Sequence, residues 1–104
     1  IYPREEFTQE LARQWVSEVP SVEVADILCH RLLRHMPFAA VLAASLADSE
    51  NDMERYTGLR LMFNLVAQMP KKALDYARKE SARDCRLTAH TAAMLADEAA
   101  FYME

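Results

Sequence analysis

The amino-acid sequence predicts an all-α fold in which about three antiparallel helix pairs stack as an α-α superhelix of the HEAT or armadillo type. Apolar residues recur at three- and four-residue steps along most of the chain. A single glycine and four prolines leave few residues for turns, and a short motif recurs after 33 residues. With 104 residues, the chain is long enough to form one domain with its own core.

The first predicted helix pair covers residues 5–36. Its first helix, over 5–19, places apolar side chains on one face and ends at Pro20; these side chains are Phe7, Leu11, Trp15, Val16 and Val19. Ser21 is suited to cap the second helix, which is expected to extend to Met36. The apolar stripe of that helix is predicted to comprise Val24, Ile27, Leu28, Leu32 and Met36, with Ala25 and Leu33 beside them.

The second and third predicted pairs cover residues 37–69 and 70–103. Helix three, over 37–47, is rich in alanine and almost uncharged, so neighbours should enclose most of it. Helix four, over 52–69, begins at an Asn51 or Asp52 cap and ends before Pro70. Its apolar stripe is wider than one neighbouring helix could cover, which predicts a central position. Helices five and six follow, joined by a turn at 81–84.

A repeat links the two later pairs. The motif His-Met-Pro at 35–37 recurs as Gln-Met-Pro at 68–70, and this frame aligns Ala40 with Ala73, Val41 with Leu74 and Ala44 with Ala77. A tetratricopeptide repeat has nearly the same period but fits less well, since its Gly and Tyr positions on the first helix are not met. We expect a single helical-repeat domain over 1–104. The first residue, Ile1, suggests that it belongs to something longer.

Composition argues against several classes of protein. No apolar run approaches the roughly 20 residues that a membrane span requires, and the first residues are not those of a signal peptide, so a cytoplasmic protein is expected. The two cysteines, Cys29 and Cys85, have neither a zinc-site spacing nor a disulfide framework. No glycine-rich phosphate loop or nucleophile triad is present, and no cofactor is expected.

Charge is unevenly distributed along the chain. The net charge is −4, yet residues 55–86 carry eight Lys/Arg against three acids. If these cations follow the edge of a superhelical groove, they are suited to phosphate backbones rather than to base edges. The predicted backbone-binding residues are Arg60, Lys71, Lys72, Arg78, Lys79, Arg83 and Arg86. The alternative is an ordinary solvated surface.

A second candidate cluster lies on the second predicted helix. Asp26 and His30 are one turn apart, so they could form an acid–base pair, or could bind a metal with a residue from another helix. A solvated helix pair is the more common role for a carboxylate and an imidazole at this spacing, and two protein ligands are too few for a structural metal.

Two segments resemble the DNA alkylation repair family of HEAT-like proteins. They are S-V-E-V-A-D-I-L-C-H-R-L and, about thirty residues later, S-E-N-D-M-E-R-Y-T-G-L-R-L. The resemblance covers about half of the chain. It implies that Asp26 matches the family aspartate, which stabilises positive charge as an alkylated base leaves. It also implies that Arg55 matches the arginine that contacts this aspartate or the DNA backbone.

The chain departs from this family at two aromatic positions. Val22 and Asp52 stand where the family has tryptophans that wall the damaged nucleotide, and neither can supply a stacking surface. The resemblance therefore implies the fold and a shared ancestry more than it implies base excision, and binding to duplex DNA is expected through the basic middle segment. The alternative function is a non-catalytic scaffold for protein–protein interaction, with the acidic first half facing a basic partner. The sequence gives no indication of oligomeric state.

Overall fold

The structure, a computed structural model, describes residues 8–103 and confirms the predicted all-α class. Six α-helices and one 3-10 turn, but no strand, are found in this range. The helices are α1 (Gln9–Ser17), α2 (Val22–Arg31), α3 (Ala39–Ala47), α4 (Asp52–Leu65), α5 (Pro70–Ser81) and α6 (Arg86–Tyr102). Over the same residues, none of the helices combines the length and apolarity needed to cross a membrane.

Side-chain caps fix the starts of the first, second and fourth helices. The Ser21 hydroxyl accepts a hydrogen bond from the Val24 backbone N–H, and Asn51 Oδ1 accepts one from Glu54. Each satisfies an N–H group that the first helical turn leaves without a partner. The predicted caps of α2 and α4 are thereby confirmed, with Asn51 rather than Asp52 at the second. Pro70 is the first residue of α5, where its missing N–H is not needed.

Two helices end earlier than predicted. Helix α2 ends at Arg31 rather than near Met36, and the 3-10 turn Leu33–His35 follows it. Helix α4 ends at Leu65 rather than at Met69. Met36 and Met69 each precede a proline and lie outside the α region, because the proline ring clashes with a helical residue before it.

Helix α4 is central, as predicted. It contacts α1, α2, α3, α5 and α6, while α3 packs along α4 and α5 packs along α6. The second helix of each pair thus lies beside the next, in the order α2, α4, α6. Leu59, Leu61 and Met62 of α4 are fully buried although they point in different directions. This accounts for a stripe too wide for a single neighbour.

Helices α3 and α4 approach each other closely at Gly58. A Cβ atom at this position would lie 2.6 Å from the Ala47 backbone nitrogen and 2.8 Å from the Ala43 carbonyl oxygen. Real Cβ atoms essentially never approach backbone atoms so closely. The only glycine of the chain is therefore required by the separation of these two helices.

The predicted apolar stripe of α2 is wrong at two positions. Val24 and Ile27 are 41% and 57% exposed, whereas Ala25 and Cys29 are completely buried. The reason is that α2 packs on α4, while α1 makes its main contact with α4 and leaves one side of α2 uncovered. The predicted face of helix one is partly observed, since Val16 is buried; Phe7 lies outside the described residues.

The repeat is offset from the frame that the sequence motif indicates. Ala40 is exposed although the motif aligns it with Ala73, which is fully buried. Leu42 is the buried α3 residue that corresponds to Ala73. Pro37 precedes the start of α3 by two residues, whereas Pro70 is itself the first residue of α5, and this difference shifts the frame.

Candidate nucleic-acid interface

The largest group of predicted backbone-binding residues lies on one exposed face of α5. Helix α5 buries Ala73, Ala77 and Glu80 on the side that faces the core. Its opposite face carries the exposed cations Lys71, Lys72, Arg78 and Lys79. Residues seven apart lie at nearly the same angle on an α-helix, so Lys71 with Arg78 and Lys72 with Lys79 form two short rows. This set of four cations is called the α5 basic face below.

Most of these cations are not neutralised. Within residues 8–103, Lys71, Lys72 and Arg78 form no ion pair, and neither does Arg86 at the start of α6. In contrast, the Lys79 ammonium lies 3.1 Å from Asp48 Oδ1. Asp75 is exposed on the same side of the helix and is the one acid among the two rows.

A shallow cleft borders the α5 basic face. It has a volume of about 260 Å³ and is lined by Asp48, Asp75, Tyr76 and Lys79. The Tyr76 hydroxyl donates a 3.1 Å hydrogen bond to Asp48 at the end of α3, and Lys79 lies over the Tyr76 ring. Partial burial and this hydrogen bond raise the pKa of Tyr76 above its usual value. These contacts fix α5 against the first helix of the preceding pair.

The other predicted cations lie elsewhere. Arg60 is on α4, where its Nε is 3.4 Å from Asp26 Oδ1 and its guanidinium lies 5.0 Å from the centre of the Phe63 ring. Arg83 follows α5, and its Nε is 3.5 Å from Glu80 Oε1. The seven predicted residues therefore do not form one continuous row, and Arg60 in particular belongs to the surface between α2 and α4.

Asp26 is bound by two side chains of α4. Its Oδ1 accepts a 2.8 Å hydrogen bond from the Tyr56 hydroxyl and faces Arg60. Burial, followed by the hydrogen bond to Asp26, raises the pKa of Tyr56 to about 12. His30 Nδ1 lies 3.4 Å from Asn64 Oδ1. Asp26 and His30 thus each contact α4, and the described residues contain no group of three or more side chains that could hold a metal ion.

Arg55 is buried and bonded on all sides. It is 3% exposed, and its Nε donates a 3.0 Å hydrogen bond to Glu80 Oε2 on α5. One terminal nitrogen donates to the carbonyl oxygens of Ser49 and Glu50, at 3.1 Å and 3.0 Å, and the other donates to Asp52. Burial alone would lower the pKa of Arg55, but the hydrogen bonds to the carboxylates outweigh it and hold the pKa above its ordinary value.

Glu80 completes this buried group. It is 4% exposed, and its Oε2 also accepts a 2.7 Å hydrogen bond from the Thr88 hydroxyl on α6. Three helices and the α3–α4 loop therefore meet at Arg55 and Glu80. Sequence reasoning missed Glu80, although it continues the line of Ala73 and Ala77 along the buried side of α5. The signal that could have identified Glu80 is its helical spacing from these two alanines, which places an acidic side chain on the buried side of α5.

The two residues assigned to catalysis by resemblance are not brought together. Asp26 contacts Tyr56 and Arg60, whereas every ion pair of Arg55 is with Asp52 or Glu80. Asp26 retains some exposure at the surface between α2 and α4, while Arg55 faces the following helix pair and is inaccessible. A ligand that reached Asp26 would not meet the Arg55 guanidinium.

The two thiols should differ in reactivity. Burial, and secondarily the charge of Asp26, raises the pKa of Cys29 to about 12, whereas hydrogen bonding to Thr88 lowers the pKa of the half-buried Cys85. Because the thiolate is the reactive form, iodoacetamide at pH 8 should alkylate Cys85 at least about 100-fold faster than Cys29. Mass spectrometry of timed digests measures both rates. In urea the two rates should converge, and equal rates in the native protein would contradict the burial of Cys29.

A comparison with known proteins identifies no relative: no family model, curated protein or solved structure matches this chain. The all-α architecture therefore stands on the structure itself, and membership of the DNA alkylation repair family stays a prediction.

Proposed function

We propose that this protein is a HEAT-like helical-repeat protein of the DNA alkylation repair type that binds the backbone of duplex DNA. The observation that carries the proposal is the α5 basic face, where Lys71, Lys72 and Arg78 are exposed and unpaired within the described residues. Neutralising DNA phosphates releases condensed counterions, which favours binding to any sequence. The net charge of −4 leaves the remainder of the surface unfavourable for DNA and so restricts binding to this face.

The arrangement supports contact with phosphates rather than with bases. The cations lie on the outer side of α5, and Asp48 and Tyr76 hold this helix against α3. A helix fixed in this way presents its charges as a rigid row but inserts no side chain into a groove. Phosphate contacts position a protein on DNA without reading sequence. Affinity should consequently depend strongly on salt and little on base composition.

The test compares two double variants that each remove two positive charges. Lys71→Gln with Arg78→Gln alters the α5 basic face, and Arg31→Gln with Arg34→Gln alters the last residue of α2 and the 3-10 turn that follows it. Each phosphate contact contributes about 0.9 to the slope of log affinity against log salt. Fluorescence anisotropy with labelled duplex DNA should show the slope falling by roughly 2 in the first variant, and little change in the second.

A third variant tests the sign of the effect. Asp75→Asn removes the one acid among the two rows and should strengthen binding at low salt by about 2- to 10-fold, as expected for a like-charge contact of about 1 kcal/mol. Absence of binding by the wild-type protein at low salt would reject the proposal. Equal losses in the two double variants would mean that net charge, rather than the α5 basic face, governs binding.

Base excision is left out of the proposed activity. The Asp26 carboxylate is bonded to Tyr56 and faces Arg60, and Arg55 is enclosed by its own contacts. Stabilising a departing base would require a carboxylate free to face the sugar. Incubating a duplex that contains an alkylated purine with the protein, and then cleaving abasic sites with alkali, should yield no excess strand breaks over a protein-free control.

A second candidate function is a scaffold that binds a basic protein. The observation favouring it is a set of exposed acids in the first half of the chain: Glu10, Glu18, Glu23, Glu50 and Asp52. Affinity capture from a nuclease-treated lysate separates the two functions, because nuclease removes partners that are bridged by nucleic acid. A basic partner that survives nuclease and is lost on Glu18→Lys with Glu23→Lys would favour the scaffold.

A further inference from the structure

Corresponding faces of the second helices are buried in α2 and α4 but exposed in α6. Counting from the residue that precedes each helix (Ser21, Asn51 and Cys85), the fourth and eighth residues define what we name the forward face. In α2 this face comprises Ala25 and Cys29, which are completely buried, and in α4 it comprises Arg55 and Leu59, which are 3% and 0% exposed. In α6 it comprises Ala89 and Ala93, and both are exposed.

The opposite pattern holds for the side that faces the preceding pair. The third and sixth residues after the same starting points define the backward face. On α4 this face comprises Thr57, which is buried, and Glu54, which is partly buried; on α6 it comprises Thr88 and Thr91, which are both buried. On α2 the equivalent residues are Val24 and Ile27, the two apolar side chains that are 41% and 57% exposed. Within residues 8–103, the stack thus has an uncovered backward face at one end and an uncovered forward face at the other.

Within the chain, forward and backward faces already pack on each other. Cys29 on the forward face of α2 donates a 3.5 Å hydrogen bond to the carbonyl oxygen of Thr57 on the backward face of α4. Two further contacts join these helices: Asp26 with Tyr56, and, one turn later on α2, His30 with Asn64. Because the later residue of α2 contacts the later residue of α4, the two helices run parallel. This contact provides a template for what each uncovered face fits.

We propose that the forward face of α6 binds the backward face of α2 in a second copy of this chain. The two copies then associate head to tail, with α2 of one copy beside α6 of the other, as α4 lies beside α2 within one chain. The contact continues the stacking interface that already joins the three second helices. Each such contact covers the forward face of one copy and the backward face of the other.

The apolar surfaces of the two faces complement each other. Val24 and Ile27 project from α2, while the forward side of α6 is formed by small residues at alternating four- and three-residue steps: Ala89, Ala93, Ala96 and Ala100. Small side chains allow a neighbouring helix to approach closely, and branched side chains fill the space between them. Met103, which is 49% exposed, extends the α6 surface by one further step.

The charges complement each other only in the parallel orientation. Helix α2 begins with the acid Glu23 and ends with Arg31, whereas α6 begins with Arg86 and carries the exposed acid Asp97 towards its end. Parallel packing places the acidic start of α2 beside the basic start of α6, and the basic end beside the acidic end. Antiparallel packing would place like charges together, which costs affinity.

Head-to-tail association has a distinctive consequence. Each copy uses two different surfaces, so a pair of molecules still presents one free face of each kind. Assembly can therefore continue beyond a dimer, whereas a symmetric contact would stop at two copies. Sedimentation velocity over about 5–500 µM protein, at low salt and without DNA, should show an average mass that rises past that of a dimer.

Two variants test the faces separately. Ile27→Glu blocks the backward face of α2, and Ala93→Glu blocks the forward face of α6. Since each places a charge in an apolar contact, each should weaken self-association at least about 100-fold. Val41→Glu on α3 is the matched control, because Val41 is 63% exposed but lies on neither face, and it should associate like the wild type. Circular dichroism checks that all three variants are folded.

Mixing the two blocked variants gives the decisive measurement. The Ile27→Glu protein retains its α6 face and the Ala93→Glu protein retains its α2 face, so together they should form a dimer of one copy each and nothing larger. A wild-type protein that stays monomeric at 500 µM would overturn the proposal. Monomers in the mixture, or a loss of association in Val41→Glu equal to that in Ile27→Glu, would also overturn it.

Discussion

Replacing Gly58 with alanine should lower the free energy of unfolding by about 2–3 kcal/mol, although alanine is the better helix former. The added methyl group would lie within 3.0 Å of two backbone atoms of α3 and of the Leu46 Cβ. Backbone atoms cannot turn aside as a flexible side chain can, so α3 and α4 must separate along their shared surface. Such a loss corresponds to a melting temperature roughly 10–20 °C lower for a domain of this size.

The control for Gly58→Ala is Ala40→Val, which adds methyl groups on the exposed side of α3. It should change the free energy of unfolding by less than about 0.5 kcal/mol, as is usual at the surface. Urea unfolding followed by circular dichroism measures both variants. An unchanged or higher stability of Gly58→Ala would show that α3 and α4 can move apart freely, and that their close approach contributes little.

Removing either partner of the buried Arg55–Glu80 pair should cost about 3–5 kcal/mol. In Arg55→Met, Glu80 stays buried with only Thr88 and the more distant Arg83, and the carbonyl groups of Ser49 and Glu50 lose their donor. In Glu80→Leu, Arg55 keeps Asp52 and the two carbonyl groups but loses its bond to α5. Both variants should unfold at clearly lower urea concentrations than the wild type.

Combining the two substitutions distinguishes a coupled pair from two independent defects. The double variant should be more stable than the sum of the single effects predicts, because an uncompensated buried charge is then absent. Lys79→Met is the matched control, because it removes an ion pair with Asp48 in which the side chains are 59% and 50% exposed. It should lower the free energy of unfolding by less than about 1 kcal/mol. Strict additivity of the single effects would contradict the coupling.

Local sequence signals predicted the helices well because their causes are local. Ser21 and Asn51 cap the helices that follow them, and Pro20 and Pro70 bound their helices, since each acts within one turn of chain. The ends of α2 and α4 were predicted too late. The prolines explain why neither helix continues through Met36 or Met69, but nothing local in the sequence places the helix ends as early as Arg31 and Leu65.

Burial and the site were harder to predict because they depend on distant partners. Nothing near Ile27 in the sequence indicates that α1 packs on α4 and leaves this side of α2 uncovered. Likewise, Arg55 reads as an exposed arginine at a helix start until Glu80, 25 residues away, is placed against it. The α5 basic face contains four of the seven cations that the sequence analysis named, while the binding role of all seven stays a prediction.

The contact between Arg55 and Glu80 also bears on how cooperatively the domain unfolds. Stacked helix pairs can open one at a time, because each contacts only its neighbours. Here the Arg55 guanidinium binds both the loop before α4 and Glu80 of α5, and Glu80 in turn binds Thr88 of α6. The second and third pairs therefore share one buried charge network. Opening the last pair would remove Glu80 from Arg55 and leave the guanidinium with only Asp52 and the two carbonyl groups of the loop. We therefore expect the part from α3 to α6 to unfold as one cooperative unit.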